Sequence, residues 1–193
     1  MTTAEYEIRY LRAGIEIGEK YLLAKDIYWP AGIRAPWGEP PYPQLTLGGL
    51  LLAQKRAAAL EKTQLQQAEL DDLSVQLDAL RSRWRTAWGK KASAEFRARL
   101  VLWRDFLEEY RQQPAANSDR YAYEVGRRVM LDLLQEDALD LHPTQVELLD
   151  GLDLWLKAIL VKGDFVWDAA LQDSFPAAKY WYLYGRLRED ENE

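Results

Sequence analysis

Residues 70–110 read LDDLSVQLDALRSRWRTAWGKKASAEFRARLVLWRDFLEEY, and their large apolar side chains recur at intervals of three and four. The first run comprises Leu70, Leu73, Leu77, Leu80 and Trp84, and the second comprises Phe96, Leu100, Trp103, Leu107 and Tyr110. This spacing places each run on one face of a helix. With Gly89 between them as a left-handed helix end, the two runs predict an antiparallel helical hairpin within residues 45–112. If the helix instead runs straight through Gly89, the stripes would face a second copy of the chain.

The N-terminal segment has the same helical spacing. Its apolar stripe comprises Ile8, Leu11, Ile15 and Leu22. Gly14 and Gly18 lie inside the stripe, where glycine disfavours a helix. They predict either a close crossing by another helix or a break into two shorter helices. Together with the helical spacing of the rest of the chain, this predicts one all-α domain over residues 1–193. We expect a bundle of five to seven helices and at most two short strands.

Residues 27–44 interrupt the helical pattern, because five of the eight prolines lie there and proline breaks helices. The segment also carries four aromatic rings, at Tyr28, Trp29, Trp37 and Tyr42. So many rings predict an ordered loop that docks on the helical body, with Trp29 and Trp37 largely buried.

The C-terminal end is also rich in rings. A last aromatic helix is predicted around Tyr180, Trp181, Tyr182 and Tyr184, and the acidic tail 189–193 is predicted to fray. Successive residues of a helix point about 100° apart, so these four rings cannot all face inward. They are expected to pack against the proline-rich loop, with a protein interface or a small-molecule pocket as alternatives.

The composition argues against several functions. There is no cysteine and one histidine, which excludes a thiolate nucleophile, a disulfide scaffold and a cysteine zinc site. A net charge of −6 argues against a uniformly basic nucleic-acid binder. The longest apolar stretch, residues 45–53, is too short to cross a membrane, and the acidic N-terminus does not resemble a signal peptide. We therefore expect a soluble cytoplasmic protein without cofactor, metal or catalytic residues.

The strongest local feature is basic. Residues 81–104 hold eight basic residues and one acidic residue, a net charge of +7, whereas the remainder holds 17 basic and 30 acidic residues, or −13. The candidate binding patch comprises Arg81, Arg83, Trp84, Arg85, Trp88, Lys90 and Lys91. It predicts one of three roles: a solvated helix tip whose arginine stems cover tryptophan rings, a surface for an acidic partner or a second copy, or a site for nucleic acid.

Enzymatic chemistry has weak support. Three acidic pairs have the i, i+3 spacing that can hold Mg²⁺ on a helical bundle: Glu16 with Glu19, Glu69 with Asp72, and Glu147 with Asp150. Among 31 acidic residues such pairs arise by chance. His142 precedes Pro143 and is predicted to take a turn or capping role. The sequence therefore favours a non-catalytic interaction or structural protein, with self-association as an option. The alternatives are a carboxylate–Mg²⁺ enzyme and a nucleic-acid binder through residues 81–104.

Overall fold

The structure, a computed structural model, describes residues 3–188, which form eight α-helices and one two-stranded sheet. The helices are α1 (Ala4–Glu16), α2 (Gly18–Leu23), α3 (Leu47–Ala59), α4 (Gln64–Arg83), α5 (Arg85–Gln112), α6 (Pro114–Asn117), α7 (Tyr121–Gln135) and α8 (Pro143–Ile159). The strands β1 (Leu160–Phe165) and β2 (Tyr184–Leu187) pair antiparallel. The predicted all-α class is confirmed. Within the described residues, six helices have at least 13 residues, in the predicted range of five to seven.

Short polar side chains begin the helices. Thr3 caps α1 by accepting a hydrogen bond from the backbone N of Tyr6 at 3.2 Å. A capping box of Thr63 and Gln66 begins α4. His142 begins α8, where its backbone N donates to Gln145 Oε1 at 2.9 Å, so its predicted capping role is confirmed. Each cap satisfies backbone groups that have no partner in the first turn.

Both readings of the N-terminal glycines are correct. The helix breaks at Ile17 into α1 and α2, and each glycine also receives a neighbouring leucine. A Cβ atom at Gly14 would lie 2.2 Å from Leu50, and one at Gly18 would lie 2.3 Å from Leu80. A side chain at either position would therefore require the neighbouring leucine side chain to shift.

The predicted turn at Gly89 is wrong. Gly89 lies inside α5 without a positive φ, and the chain bends at Trp84 instead. Backbone hydrogen bonds continue across this junction, from Trp84 N to Leu80 O at 3.0 Å and from Trp88 N to Trp84 O at 2.8 Å. A junction of one hydrogen-bonded residue bends a helix without reversing it. Helix α4 therefore packs mainly on α1, and α5 mainly on α7, so both apolar stripes are covered within one chain.

Helix α5 is the centre of the core. It contacts α2, α3, α4, α6, α7 and α8. Five large rings on it are buried: Trp88, Phe96, Trp103, Phe106 and Tyr110. The buried stripes predicted from sequence spacing thus define the core, although the helices that cover them are not those expected.

The proline-rich loop docks through Tyr42, one of its four predicted rings, and not through Trp37. Trp37 is 103% exposed, so its predicted burial is wrong, and Trp29 is only half-buried. Trp37 lies in a turn between Pro36 and Gly38, whose φ of 85° directs the chain outward. Tyr42 provides the main contact, because its ring stacks on Tyr6 at 4.3 Å and its hydroxyl donates to the Tyr6 carbonyl at 3.0 Å.

The predicted C-terminal aromatic helix is also wrong. Residues Trp181–Leu183 form a 3₁₀ turn and β2 follows. In this conformation Tyr180 and Tyr182 are buried and Trp181 and Tyr184 are half-buried, an arrangement that one α-helix could not produce. The acidic tail 189–193 lies outside the described residues. No helix of the described part is both long and apolar enough to cross a membrane.

Candidate protein-interaction surface

The fold uses three members of the predicted basic patch internally. Arg81 forms an ion pair with Asp137, and buried Trp88 donates its Nε1 hydrogen to the same carboxylate at 2.8 Å. Lys91 is buried against the end of α2, where its Nζ donates to the carbonyls of Ala24 at 2.7 Å and Asp26 at 2.8 Å. Burial lowers the pKa of Lys91. Trp88 and Lys91 therefore cannot belong to a surface patch.

The other members remain near the surface. Arg83, Arg85 and Lys90 are exposed, and Trp84 is half-buried. The Arg83 guanidinium lies over the Trp84 ring, 5.7 Å from the ring centre. The stacking of Arg83 on Trp84 is the contact expected if arginine stems cover tryptophan rings. Arg83, Arg85 and Lys90 take part in none of the ion pairs of the described chain.

Helix α5 has a regular outward surface that the charge count alone did not reveal. The outward side of α5 carries residues spaced three and four apart, which we name the basic face: Ala87, Lys90, Ala94, Arg97 and Val101. Lys90 and Arg97 are exposed and Val101 is 44% exposed. Within the described chain Arg97 also has no ion-pair partner. The seven-residue spacing of Lys90 and Arg97 is the signal that could have revealed this face.

Helix α4 has an outward face of the opposite charge. Its residues, again spaced three and four apart, form what we name the acidic face: Leu65, Ala68, Asp72, Val75 and Ala79. Leu65 is 79% exposed and Val75 is 68% exposed. Between Gln64 and Leu80 there are four acidic residues and no basic residue. Two successive helices thus present exposed apolar side chains in opposite electrostatic settings.

A cleft between α1, α3, α5 and α7 is the main alternative site. It has a volume of about 550 Å³, and Arg56, Arg99 and Arg127 line it. Each arginine already faces a carboxylate: Arg56 lies 3.8 Å from Glu7, Arg99 lies 2.6 Å from Glu95, and Arg127 pairs with Glu124. Burial lowers the pKa of Arg56. Three carboxylates, at Glu7, Glu95 and Glu124, therefore offset the three arginine charges around the cleft.

The acidic pairs of the sequence do not assemble into a larger site. Glu69 already forms an ion pair with Arg12, and its sequence partner Asp72 is exposed. Among residues 3–188, no group of three or more histidine or acidic side chains is placed to hold a metal ion.

Comparison with known proteins identifies no relative. No family model, no curated protein and no solved structure matches the chain. The function must therefore be inferred from the surfaces themselves.

Proposed function

We propose that this protein is a non-catalytic, self-associating helical protein in which the basic face of α5 binds the acidic face of α4 of a second copy. The observation that carries the proposal is the pairing of opposite charge with exposed apolar residues at matching helical spacing. The cytoplasmic location expected from the sequence is part of this proposal.

In the proposed contact the apolar side chains of the two faces pack together. Leu65 and Val75 are the large exposed side chains of the acidic face, and Val101 is the large exposed side chain of the basic face. Apolar residues at three-and-four spacing allow two helices to pack side by side. Lys90 and Arg97 can then meet carboxylates such as Asp72 and Asp78.

Association through these faces should be weak and salt-sensitive. Exposed ion pairs contribute about 0.2–1 kcal/mol each, and burial of one valine or leucine contributes about 1.5–3 kcal/mol. Because the two faces differ, one copy of a pair keeps its acidic face free and the other copy keeps its basic face free. Such head-to-tail contacts either close a ring or extend into a longer assembly.

The test uses two complementary charge reversals. Lys90→Glu with Arg97→Glu makes both faces of one variant acidic, and Asp72→Lys with Asp78→Lys makes both faces of the other basic. Each variant alone should sediment as a smaller species than the native chain, because like charges then face each other. An equimolar mixture should assemble again, since every basic face meets an acidic one.

Sedimentation velocity at low salt and at about 1 M salt, where charges are screened beyond about 3 Å, measures the outcome. Arg85→Glu, a charge reversal at an exposed residue on a different side of α5, is the matched control and should assemble like the native chain. A mixture that stays dissociated, or a native chain that is monomeric at every concentration, would refute the proposal. A titration with a single-stranded oligonucleotide distinguishes nucleic-acid binding, which the Lys90→Glu, Arg97→Glu variant would lose.

A further inference from the structure

Helix α8 is apolar but poorly covered. Of its 17 residues only Leu149 and Leu156 are buried, whereas Leu154 is 72% exposed and Leu148 is 38% exposed. An exposed leucine alone has no meaning, but a helix that is apolar on both sides normally has neighbours on both sides.

The outward side of α8 has a regular pattern. Glu147, Gly151, Leu154 and Ala158 follow at intervals of four, three and four, which aligns them along the helix. A Cβ atom at Gly151 would meet nothing within 4 Å. The line therefore consists of one protruding leucine beside an open position at Gly151.

The two flanks of this line differ in character. One flank carries Asp150 and Lys157, seven residues apart, and neither has an ion-pair partner within the described chain. The Lys157 ammonium lies 5.0 Å from the centre of the Trp181 ring, which holds it near the surface of the helix. The other flank carries Leu148 and half-buried Trp155.

We infer that α8 pairs antiparallel with α8 of a second copy around a two-fold axis. In such a pair each flank faces the same flank of the other helix in reverse order. Leu154 of each copy then lies over Gly151 of the other. On one flank Asp150 meets Lys157 twice, and on the other Leu148 meets Trp155 twice.

The charge pattern specifies a second copy running in the opposite direction. A parallel arrangement would place the flank of Asp150 and Lys157 against the flank of Leu148 and Trp155, so charged side chains would face apolar ones. In the antiparallel arrangement one register brings Asp150 to Lys157 and Leu148 to Trp155. That self-complementarity is what an isologous interface requires.

This surface is distinct from the basic and acidic faces, so the two ideas can fail separately. The experiment therefore uses the full chain carrying Lys90→Glu and Arg97→Glu, which removes the α4–α5 contact. This parent should still form a dimer, measured by sedimentation equilibrium. Leu154→Asp should raise its dissociation constant at least about tenfold, because the change removes an apolar contact and adds a charge at two symmetric places.

Charge reversal gives the sharper test. Asp150→Lys alone and Lys157→Asp alone should each raise the dissociation constant about three- to tenfold, since each change creates two like-charge contacts. The variant with both changes should return to within about threefold of the parent. Leu23→Asp, at a leucine of α2 that is 58% exposed and lies outside all the proposed surfaces, is the matched control and should leave the constant unchanged. A monomeric parent, or a double reversal that does not recover, would overturn the inference.

Discussion

Replacement of Glu95 by alanine is expected to lower the free energy of unfolding by about 3–5 kcal/mol. Glu95 is completely buried on α5 and accepts hydrogen bonds from Arg99 Nε at 2.6 Å and from the backbone N of Gly48 at 3.1 Å. Arg99 in turn donates to Thr46 Oγ1 at 2.8 Å, at the first turn of α3. Without the carboxylate, the Arg99 charge would remain buried and unpaired, and α3 would lose the anion at its positive end.

Chemical denaturation at neutral pH measures this loss. Glu108→Ala is the matched control, because Glu108 lies on the same helix, is exposed and is 4.0 Å from Arg104. It should change the free energy of unfolding by less than about 0.5 kcal/mol. Glu95→Leu combined with Arg99→Leu should be less destabilised than the two single changes together, since it leaves no unpaired charge. A stable Glu95→Ala variant would show that the network does not hold α3 in place.

The apolar stripes of α4 and α5 show which parts of the fold the sequence could predict. Apolar spacing predicted that Leu77, Phe96 and Trp103 lie in the core, because a stripe on one side of a helix has to be covered. The spacing does not say which helix covers it. Helix α4 packs on α1 and α5 packs on α7. These contacts join segments that are distant in the sequence, so a local spacing pattern does not predict them.

Charge counts were less informative than helical phase. The charge count over residues 81–104, in which Glu95 is the one acidic residue, led to a predicted patch of seven residues between Arg81 and Lys91. In the structure Glu95 and Lys91 lie inside the fold, whereas Lys90 and Arg97 point outward with Val101. A helical-wheel prediction that compared the position of each charge with those of Phe96 and Trp103 would have separated the internal charges from the surface ones.

Aromatic density was misleading for a different reason. Four rings in five residues at positions 180–184 suggested a helix, but a 3₁₀ turn and a strand bury or half-bury all of them. Two anchors of this segment, Arg128 and Asp132, are polar and come from α7, about 50 residues before Tyr182 in the chain. Only the folded structure brings these anchors to the rings.

One of those anchors, Arg128, carries the second prediction. Its Nε and NH2 groups donate to the two oxygens of Asp153 at 2.8 and 2.7 Å, and it also pairs with Asp132. The guanidinium lies 4.8 Å from the centre of the Tyr182 ring, and the Tyr182 hydroxyl donates to Asp132 at 2.6 Å. Burial alone would lower the pKa of Arg128, but hydrogen bonding to Asp153 and the charge of Asp132 raise it above its ordinary value.

Arg128→Leu is expected to lower the free energy of unfolding by about 3–5 kcal/mol, because two partly buried carboxylates lose their shared cation. The near-ultraviolet circular dichroism of the aromatic residues should weaken as well. Tyr182 loses the guanidinium stacked on its ring, and Asp132, which accepts its hydroxyl hydrogen bond, loses the cation that positions it. Arg9→Ala is the control: Arg9 forms only an exposed pair with Glu5, so its removal should cost less than about 0.5 kcal/mol. If Arg128→Leu matched this control in both measurements, packing of the rings alone would hold the C-terminal segment, and the ion network would contribute nothing to it.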